Sequence, residues 1–302
     1  MNDDETAQRD AIAQARTLGS ALTLADAWLR AADATETPRL DAQVLLSHVT
    51  GASRATLMAY PERPLSAEAA ATYADLIARR AADEPVAYLV GHREFLGLDL
   101  LTDARALIPR PETELLVEAA LRDIGERLSA RTTPPLVADI GVGSGAIPIA
   151  IAVREPRLPL VYATDISPDA LALAKENAQR LAVDARIMFL QGDLLELLPE
   201  PVDVLTANLP YVAANDPDVG ESVRYEPALA VYGADDGLGH IRRLLAQAPA
   251  RLRPGASIYL EYGYDQRAAV EALARANFPD ATLHPGVDYA GWDRFIEIRL
   301  RG

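Results

Sequence analysis

The fold of this chain is decided by one stretch, Leu136-Val137-Ala138-Asp139-Ile140-Gly141-Val142-Gly143-Ser144-Gly145. Its apolar first half has the length of a strand, and the apolar segment that follows it suits a helix. Glycine lets the backbone turn tightly and approach a ligand closely, and the first N–H groups of a helix are free to bind one. The stretch therefore predicts a strand, a turn and a helix that can hold a nucleotide-like cofactor. The predicted cofactor contacts are Gly141, Val142, Gly143, Ser144 and Gly145.

Strands and helices alternate from this stretch onward. The predicted strands are Leu136–Ile140, Leu160–Thr164, Arg186–Leu190, Val202–Ala207, Ser257–Tyr262, Ala281–His284 and Arg294–Leu300. The predicted helices between them are Ala146–Arg154, Pro168–Leu181, Leu238–Arg251 and Gln266–Ala276. Such alternation predicts an α/β fold with a mostly parallel sheet and helices on both faces. The last two strands have no clear helix between them, so we expect a hairpin with one antiparallel strand.

Two acidic residues end neighbouring predicted strands. Asp165 follows the second strand, where its carboxylate can accept hydrogen bonds from both hydroxyls of a ribose. Asp193 follows the third strand and is placed to meet the base. The glycine loop also satisfies the fingerprint of dinucleotide-binding proteins, in which an acidic residue stands at the position of Asp165. The loop alone therefore leaves dinucleotide oxidoreductases and methyltransferases both open.

The first part of the chain differs from the rest. Residues 1–84 have few β-branched runs, and apolar residues recur with a helical period at Leu22, Ala25, Trp28 and Leu29 and again between Leu40 and Val49. Ser66 suits the N-cap of a further helix. This region is predicted to form a small helical domain.

A short linker and a second domain are predicted to follow. Val86–Val90 and Leu98–Leu101 are interpreted as strands of a β-hairpin around Gly91 and Gly97, which makes residues 85–107 a hairpin linker. A helix is expected from Pro111 to about Arg131, because proline and acidic residues suit a first turn. Residues 108–302 then form the second domain.

Composition and charge argue against several functions. The 302 residues carry a net charge of −15 and no run of Lys or Arg longer than two, so we expect no stable nucleic-acid binding. The chain has no cysteine, which excludes disulfides and thiol chemistry. No apolar stretch approaches the ~18 residues that span a bilayer, and the acidic first residues do not resemble a signal peptide. We predict a cytoplasmic protein without a membrane segment. The four histidines do not cluster with carboxylates, so no metal is expected.

The tetrapeptide Asn208-Leu209-Pro210-Tyr211 distinguishes the two enzyme classes. It ends the buried strand and presents an amide, a backbone carbonyl, a stiff proline and an aromatic ring together. A planar amide or amino nitrogen is a poor nucleophile because its lone pair is delocalised. The Asn208 side-chain oxygen and the Leu209 carbonyl can accept hydrogen bonds from that nitrogen and aim its lone pair at an electrophile. All four residues are therefore predicted to be catalytic and substrate-binding, and the site predicts methyl transfer to a planar nitrogen.

Further segments resemble the protein-(glutamine-N5) methyltransferases that modify peptide chain release factors. The similarity runs from Glu84 to Gly263. Besides the glycine loop and the tetrapeptide it includes Glu84–Gly91, Arg93–Phe95, Leu107–Glu114, Asp165–Ser167, Gly192–Asp193, Tyr225–Ala230, Gly233–Leu238 and Leu260–Gly263. The I-P-R-P-x-T-E and E-P-A-L-A…G-x-D-x-G-L segments among these are far more specific than the glycine loop.

The resemblance implies an enzyme with a seven-stranded Rossmann-like class I methyltransferase sheet and a helical N-terminal domain. It implies S-adenosyl-L-methionine as methyl donor, bound by the glycine loop and Asp165, with Asp193, Leu194 and Asn208 as further contacts. The implied acceptor is the glutamine of the Gly-Gly-Gln tip of class I peptide chain release factors. Arg110 and Glu226 are then expected beside the substrate.

Two positions depart from the family pattern, and other acceptors stay open. The family tetrapeptide is usually Asn-Pro-Pro-Tyr; Leu209 replaces the first proline but keeps its carbonyl, and the following proline biases Leu209 to an extended backbone. Leu194 stands where relatives often carry an aromatic residue. The alternatives are a glutamine of a large-subunit ribosomal protein, a DNA adenine amino group, and a cofactor-binding module without catalysis.

Overall fold

The chain folds into two compact units in the computed structural model, which describes residues 3–214, 216 and 220–302. The first unit comprises the described residues up to Gly91 together with Gly220–Tyr225. The second comprises the described residues of His92–Val219 and Glu226–Gly302. The domain bounds 1–84, 85–107 and 108–302 stay predictions.

The first unit is helical. Its helices are α1 (Asp3–Ala13), α2 (Leu18–Ala31), α3 (Pro38–Thr50), α4 (Arg54–Ala59), α5 (Ala67–Ala81) and α6 (Val86–Val90). The predicted apolar face of α2 is buried in the core of this unit, with Trp28 only 5% exposed. Ser66 caps α5 by accepting a hydrogen bond from the Ala69 N–H at 3.1 Å, as the sequence predicts.

The strand predicted at Val86–Val90 is wrong, because this segment is helix α6. Pro85 precedes the helix, and its carbonyl accepts hydrogen bonds from the N–H groups of Tyr88 and Leu89. Gly91 ends the helix in the left-handed conformation at φ +79°. A five-residue apolar run is too short for its period to distinguish a strand from a helix. Pro85 before the run and Gly91 after it therefore determine that it is helical. The hairpin that does form pairs β1 (His92–Phe95) with β2 (Leu98–Leu101).

The second unit contains the predicted α/β sheet. Its further elements are α7 (Pro111–Ala130), β3 (Val137–Ile140), α8 (Ala146–Arg154), β4 (Val161–Asp165), α9 (Pro168–Arg180), β5 (Ile187–Gln191), β6 (Val202–Ala207), α10 (Ala228–Val231), α11 (Gly239–Gln247), β7 (Leu252–Glu261), α12 (Arg267–Asn277), β8 (Thr282–Val287) and β9 (Asp293–Arg299). Seven strands form one sheet in the order β5-β4-β3-β6-β7-β9-β8. Strands β3 to β7 run parallel, and β9 is antiparallel to both β7 and β8, which confirms the predicted fold class.

Strand β3, an interior strand of the sheet, positions the site. Ile140 at its end pairs with Thr164 of β4 on one side and with Ala207 of β6 on the other. The loops after these three strands therefore open at one edge of the sheet, where the strand order reverses and open α/β sheets bind ligands. Each face of the sheet carries its own buried apolar cluster. None of the helices among the described residues is both long and apolar enough to cross a membrane.

Candidate active site

The glycine loop after β3 has a shape that only glycine allows. Gly141 and Gly145 lie at φ +78° and +87°, a region that side chains disfavour. A Cβ added to Gly145 would come within 2.7 Å of the Ile149 side chain and 3.2 Å of the Ala174 backbone. The loop therefore packs directly onto helices α8 and α9, and its own backbone faces the cavity above it.

Asp165 fastens this loop from the end of β4. Its Oδ2 accepts a hydrogen bond from the Gly143 N–H at 2.9 Å, and its Oδ1 accepts one from the Ser167 N–H at 2.8 Å. Burial raises the pKa of Asp165, and these two N–H donors oppose the rise. Each carboxylate oxygen has a second lone pair, so Asp165 can still accept hydrogen bonds from ribose hydroxyls.

A buried asparagine on α9 anchors the loop from below. The Asn177 side-chain Nδ2 donates to the Ser144 carbonyl at 2.9 Å and to the Leu101 carbonyl at 3.0 Å. Its Oδ1 accepts from the Leu101 N–H at 2.7 Å. The side chain is fully buried and uses all its polar atoms, so it ties the glycine loop to hairpin strand β2.

A single cavity brings most of the predicted site residues together. The predicted residues that line it are Arg110, Gly141, Val142, Gly143, Ser144, Asp165, Asp193, Leu194, Asn208, Leu209 and Pro210. Gly145, Tyr211 and Glu226 are not among its lining residues. The cavity thus joins the cofactor loop to the first three residues of the tetrapeptide.

Asp193 and Leu194 close the far end of the cavity. Asp193 forms an ion pair with Arg243 of α11, which also lines the cavity. Leu194 adopts φ +50° and is 7% exposed, and its carbonyl accepts a hydrogen bond from the Thr164 hydroxyl at 3.0 Å. An aliphatic side chain and an ion-paired carboxylate therefore lie at the position where the sequence predicts contact with the base of the cofactor.

Leu209 is buried against the glycine loop. Its side chain is 4% exposed, and a Cβ added to Gly141 would lie 2.9 Å from the Leu209 Cδ2. The residue thus fills the space that joins the tetrapeptide to the cofactor loop. Its carbonyl oxygen accepts no hydrogen bond from the residues that the structure describes, so that acceptor is available to a ligand.

The end of the tetrapeptide is held by its surroundings. The Tyr211 carbonyl accepts a hydrogen bond from the Gln266 side chain at 2.8 Å, and Val212 forms a bridge with Tyr232. Gly233 and Gly237 lie against the Pro210 and Tyr211 carbonyls, where a Cβ would clash. The glycines of the G-x-D-x-G-L segment therefore allow a loop to brace the tetrapeptide.

Asn208 is the first member of a buried hydrogen-bond chain. Its Nδ2 donates to the Thr113 Oγ1 at 3.0 Å, and the Thr113 hydroxyl donates to the Glu261 Oε2 at 2.7 Å. The Tyr211 hydroxyl reaches the Glu261 Oε1 at 3.4 Å, so the ring faces this chain rather than the cavity. Burial raises the pKa of Glu261 to about 7, because the Thr113 and Tyr211 hydroxyls compensate only part of the lost hydration.

Glu226 joins the two most specific sequence segments. Its side chain is almost fully buried, its Oε2 accepts from the Ile108 N–H at 3.0 Å, and its Oε1 pairs with Arg110. Both carboxylate oxygens are thus used to brace the I-P-R-P segment against the E-P-A-L-A segment. Arg110 itself lines the cavity, whereas Glu226 supports the wall.

Two family profiles match the chain. The PrmC N-terminal domain matches residues 20–91, and the methyltransferase small domain matches residues 118–223. The release factor glutamine methyltransferase of Bordetella pertussis is 43% identical over 85% of this chain and 93% of its own length. That of Moorella thermoacetica is 46% identical over 89% of this chain and 94% of its own length.

This chain belongs to the release factor glutamine methyltransferase family. A solved structure shares the fold at low sequence identity: the hMettl16 catalytic domain in complex with the MAT2A 3′UTR hairpin 1, with a TM-score of 0.55 and 18% identity. The alignment covers 75% of this chain and 80% of that one. The chain is a methyltransferase, and the resemblance stated from its sequence is confirmed.

Sequence reasoning about this methyltransferase missed Thr113, which lines the cavity, and two buried carboxylates that do not, Glu261 and Asp139. Thr113 and Glu261 lie within the I-P-R-P-x-T-E and L-E-Y-G segments, so those segments were the available signal. Asp139 on β3 was also missed: it is fully buried, and its Oδ1 accepts a hydrogen bond from the Thr206 hydroxyl at 2.7 Å. Its other oxygen is buried without a partner, and burial raises the pKa of Asp139 to about 8.

Proposed function

We propose that this methyltransferase methylates the side-chain amide nitrogen (N5) of the glutamine in the Gly-Gly-Gln motif of class I peptide chain release factors, with S-adenosyl-L-methionine as donor. The observation that carries the proposal is a pair of acceptors, the Asn208 side-chain oxygen and the Leu209 carbonyl, on two residues that line the cavity. It is supported by relatives that are named release factor glutamine methyltransferase. A release-factor substrate also fits the predicted cytoplasmic localisation.

The cavity fits the proposed donor. S-adenosyl-L-methionine supplies a methyl group on a sulfonium sulfur. The backbone of the glycine loop, which lines the cavity, would hold its methionine part, and Asp165 would accept hydrogen bonds from its ribose. Leu194 and the Asp193–Arg243 pair would flank its adenine.

The tetrapeptide then orients the acceptor. The glutamine amide presents two N–H groups, and the Asn208 Oδ1 and the Leu209 carbonyl can accept one hydrogen bond each. These acceptors would hold the nitrogen in place and stabilise the positive charge that develops on it as the N–C bond forms and the bond from the methyl carbon to sulfur breaks. The thioether product would leave, and one amide proton would pass to solvent. Leu209 is buried and Tyr211 is tied to Gln266, so the two acceptors are fixed before the substrate binds.

Methyl incorporation tests this proposal. Purified chain and labelled S-adenosyl-L-methionine are incubated with a release factor, its Gln→Ala variant in Gly-Gly-Gln, a large-subunit ribosomal protein and duplex DNA. We expect label only in the intact release factor, with mass spectrometry placing one methyl group on that glutamine. Label in the ribosomal protein or the DNA alone would assign a different acceptor, and no label at all with a bound cofactor would indicate a binding module.

The Asn208→Ala variant tests the role of the acceptor pair. We expect kcat to fall by at least ~100-fold, because one of two groups that stabilise the developing charge is lost. The cofactor affinity should stay within a factor of about two, measured by isothermal titration, since the loop and Asp165 are intact. Turnover near that of the unmodified enzyme would contradict the assignment.

A further inference from the structure

The hydrogen bonds that link Asn208, Thr113 and Glu261 at the cavity wall can run in only one direction while Glu261 is ionised. Thr113 has a single hydroxyl proton, and it points to the Glu261 Oε2 at 2.7 Å. Toward Asn208 the Thr113 oxygen is therefore an acceptor, and it meets the Asn208 Nδ2 at 3.0 Å. The Asn208 Oδ1 must then face away from Thr113, on the side of the residue that borders the cavity.

An asparagine without such a partner has two orientations. Rotation of its amide by about 180° exchanges oxygen and nitrogen with little change in shape. The reversed Asn208 would present an NH₂ group to the NH₂ group of the substrate amide, so two donors would face each other. Burial strengthens the effect of the Thr113–Glu261 pair, because Glu261 is 2% exposed and Thr113 is 4% exposed.

We propose that Thr113 and Glu261 are positioning residues that fix the Asn208 amide with its oxygen toward the acceptor nitrogen. Neither residue touches the reacting atoms; Glu261 orients the Thr113 hydroxyl, and Thr113 orients the amide. The consequence for turnover rests on the proposed function, whereas the orientation of Asn208 can be measured without any substrate.

The charge on Glu261 sets the direction of the hydrogen bonds from Asn208 through Thr113. The groups that face Glu261 are Thr113, Tyr211, Glu112 and Arg294: the two hydroxyls and Arg294 favour the carboxylate, and Glu112 opposes it. Once Glu261 is protonated, its own O–H can donate to Thr113, and the Thr113 proton becomes free to donate to a reversed Asn208. Turnover should therefore decrease as pH falls through about 7, the pKa to which burial raises Glu261.

Four variants of the full chain separate positioning from plain stability. Thr113→Val removes the hydroxyl, Thr113→Ser keeps it, and Glu261→Gln removes the charge that directs it. Thr102→Val is the matched control, because Thr102 is also buried, at 1% exposed against 4% for Thr113, but donates to the Leu100 carbonyl and does not line the cavity. We expect kcat on the release factor to fall ~10- to 100-fold in Thr113→Val, and to stay near that of the unmodified enzyme in Thr113→Ser and Thr102→Val. The cofactor affinity should stay within about twofold throughout.

The pH profile gives a readout that a merely structural role would not change. The unmodified enzyme should lose activity below about pH 7, and Glu261→Gln should be slow with no such decrease, because it has no proton to gain there. If Glu261→Gln keeps the decrease, the proposed role of Glu261 is wrong.

NMR spectra of the Asn208 side-chain amide test the orientation itself. Its NH₂ resonances, identified by their loss in Asn208→Asp, should shift in Thr113→Val and stay in place in Thr102→Val. Unchanged Asn208 resonances in Thr113→Val would overturn the inference even if the unmodified enzyme methylates release factors. If the unmodified enzyme methylates no release factor but the resonances do shift, the proposed function fails and the positioning role stands.

Discussion

Leu209 shows how one side chain can replace the function of a more rigid residue. The family tetrapeptide usually has proline at this position, which fixes φ by its ring. Here the isobutyl group is 4% exposed and packs against Gly141, so the same segment is held by burial. The feature that the proposed chemistry needs, a free carbonyl, is a backbone atom and is present with either residue.

Replacing Leu209 by proline should preserve chemistry and reduce stability. The carbonyl is retained, and the Leu209 N–H that proline lacks donates to no acceptor among the described residues. We therefore expect kcat to stay within a factor of about ten. The free energy of unfolding should fall by about 1–2 kcal/mol, because buried methyl groups are lost from the contact with Gly141. Chemical denaturation and methylation assays check both, and a large loss of kcat with unchanged stability would contradict this account.

Asp139 predicts an unusual pH dependence of stability. Burial raises its pKa from 3.8 to about 8, so the folded protein binds a proton that the unfolded chain releases. The contribution of Asp139 is therefore fully present at low pH and is lost as pH rises from 3.8 through about 8. Asp139→Asn is neutral at every pH. It should unfold like the parent near pH 4 and be more stable than the parent by on the order of 5 kcal/mol at pH 8.5, because each pH unit between the two pKa values contributes about 1.4 kcal/mol.

Asp203 supplies the opposite control in the same sheet. Burial would raise its pKa, but hydrogen bonds from the Leu136 N–H and Arg131, with the charge of Arg253, hold the pKa below its ordinary value. Asp203→Asn should therefore destabilise the protein at neutral pH and have less effect near pH 3.

The prediction for Asp139 is checked by thermal denaturation of the parent and Asp139→Asn across this pH range. If the stability of both proteins depends on pH in the same way, Asp139 is ionised when buried and the prediction is wrong.

At the scale of elements, the sheet was predictable from sequence and the short helices were not. Strands such as Val202–Ala207 are buried on both faces and read as continuous apolar runs, so their period and spacing suffice. Val86–Val90 is only five residues long, so its apolar pattern fits either a strand or a helix, and the residues that cap it make it helical. In α3 the apolar pattern pointed to Leu40, which is 37% exposed, while Asp41 is buried because Arg80 of another helix pairs with it at 2.8 Å. Such tertiary partners are not visible in a local pattern.

The same contrast holds for the candidate site. The glycine loop, Asp165 and the tetrapeptide follow strand ends, so sheet topology alone predicts that they meet. The Thr113–Glu261 pair joins residues 148 positions apart through one hydrogen bond, and no periodicity encodes it. The sequence signal for these two residues is that they lie within the I-P-R-P-x-T-E and L-E-Y-G segments, which carry the resemblance to the family.

Gly145, in the loop between β3 and α8, should tolerate no side chain. Gly145→Ala puts a Cβ at φ +87° within 2.7 Å of Ile149 and 3.2 Å of the Ala174 backbone. We expect a loss of about 2–4 kcal/mol in the free energy of unfolding and weaker cofactor binding, since loop and helices must move apart. Gly125→Ala in the middle of α7 meets no atom within 4 Å and should stabilise the protein by up to about 1 kcal/mol. Equal effects of the two substitutions in urea denaturation would rule out a special role for Gly145.

At the scale of the whole molecule, charge should govern how the protein meets its proposed substrate. The chain has 44 acidic and 29 basic residues and a net charge of −15, so it attracts a partner with a basic surface at long range. Raising salt from about 0.01 M to about 0.15 M shortens the Debye length from about 30 Å to about 8 Å. We expect the KM for an intact release factor to rise by roughly tenfold over this range.

A short capped peptide that contains Gly-Gly-Gln provides the control for this salt effect. It presents the acceptor amide without a charged body, so its KM should change little, because the contacts to Asn208 and Leu209 are short and shielded from ions. Steady-state methylation of both substrates across the same salt series separates docking from chemistry. If the KM of the release factor is as insensitive to salt as that of the peptide, the acidic surface has no part in docking, and recognition must come from short-range contacts alone.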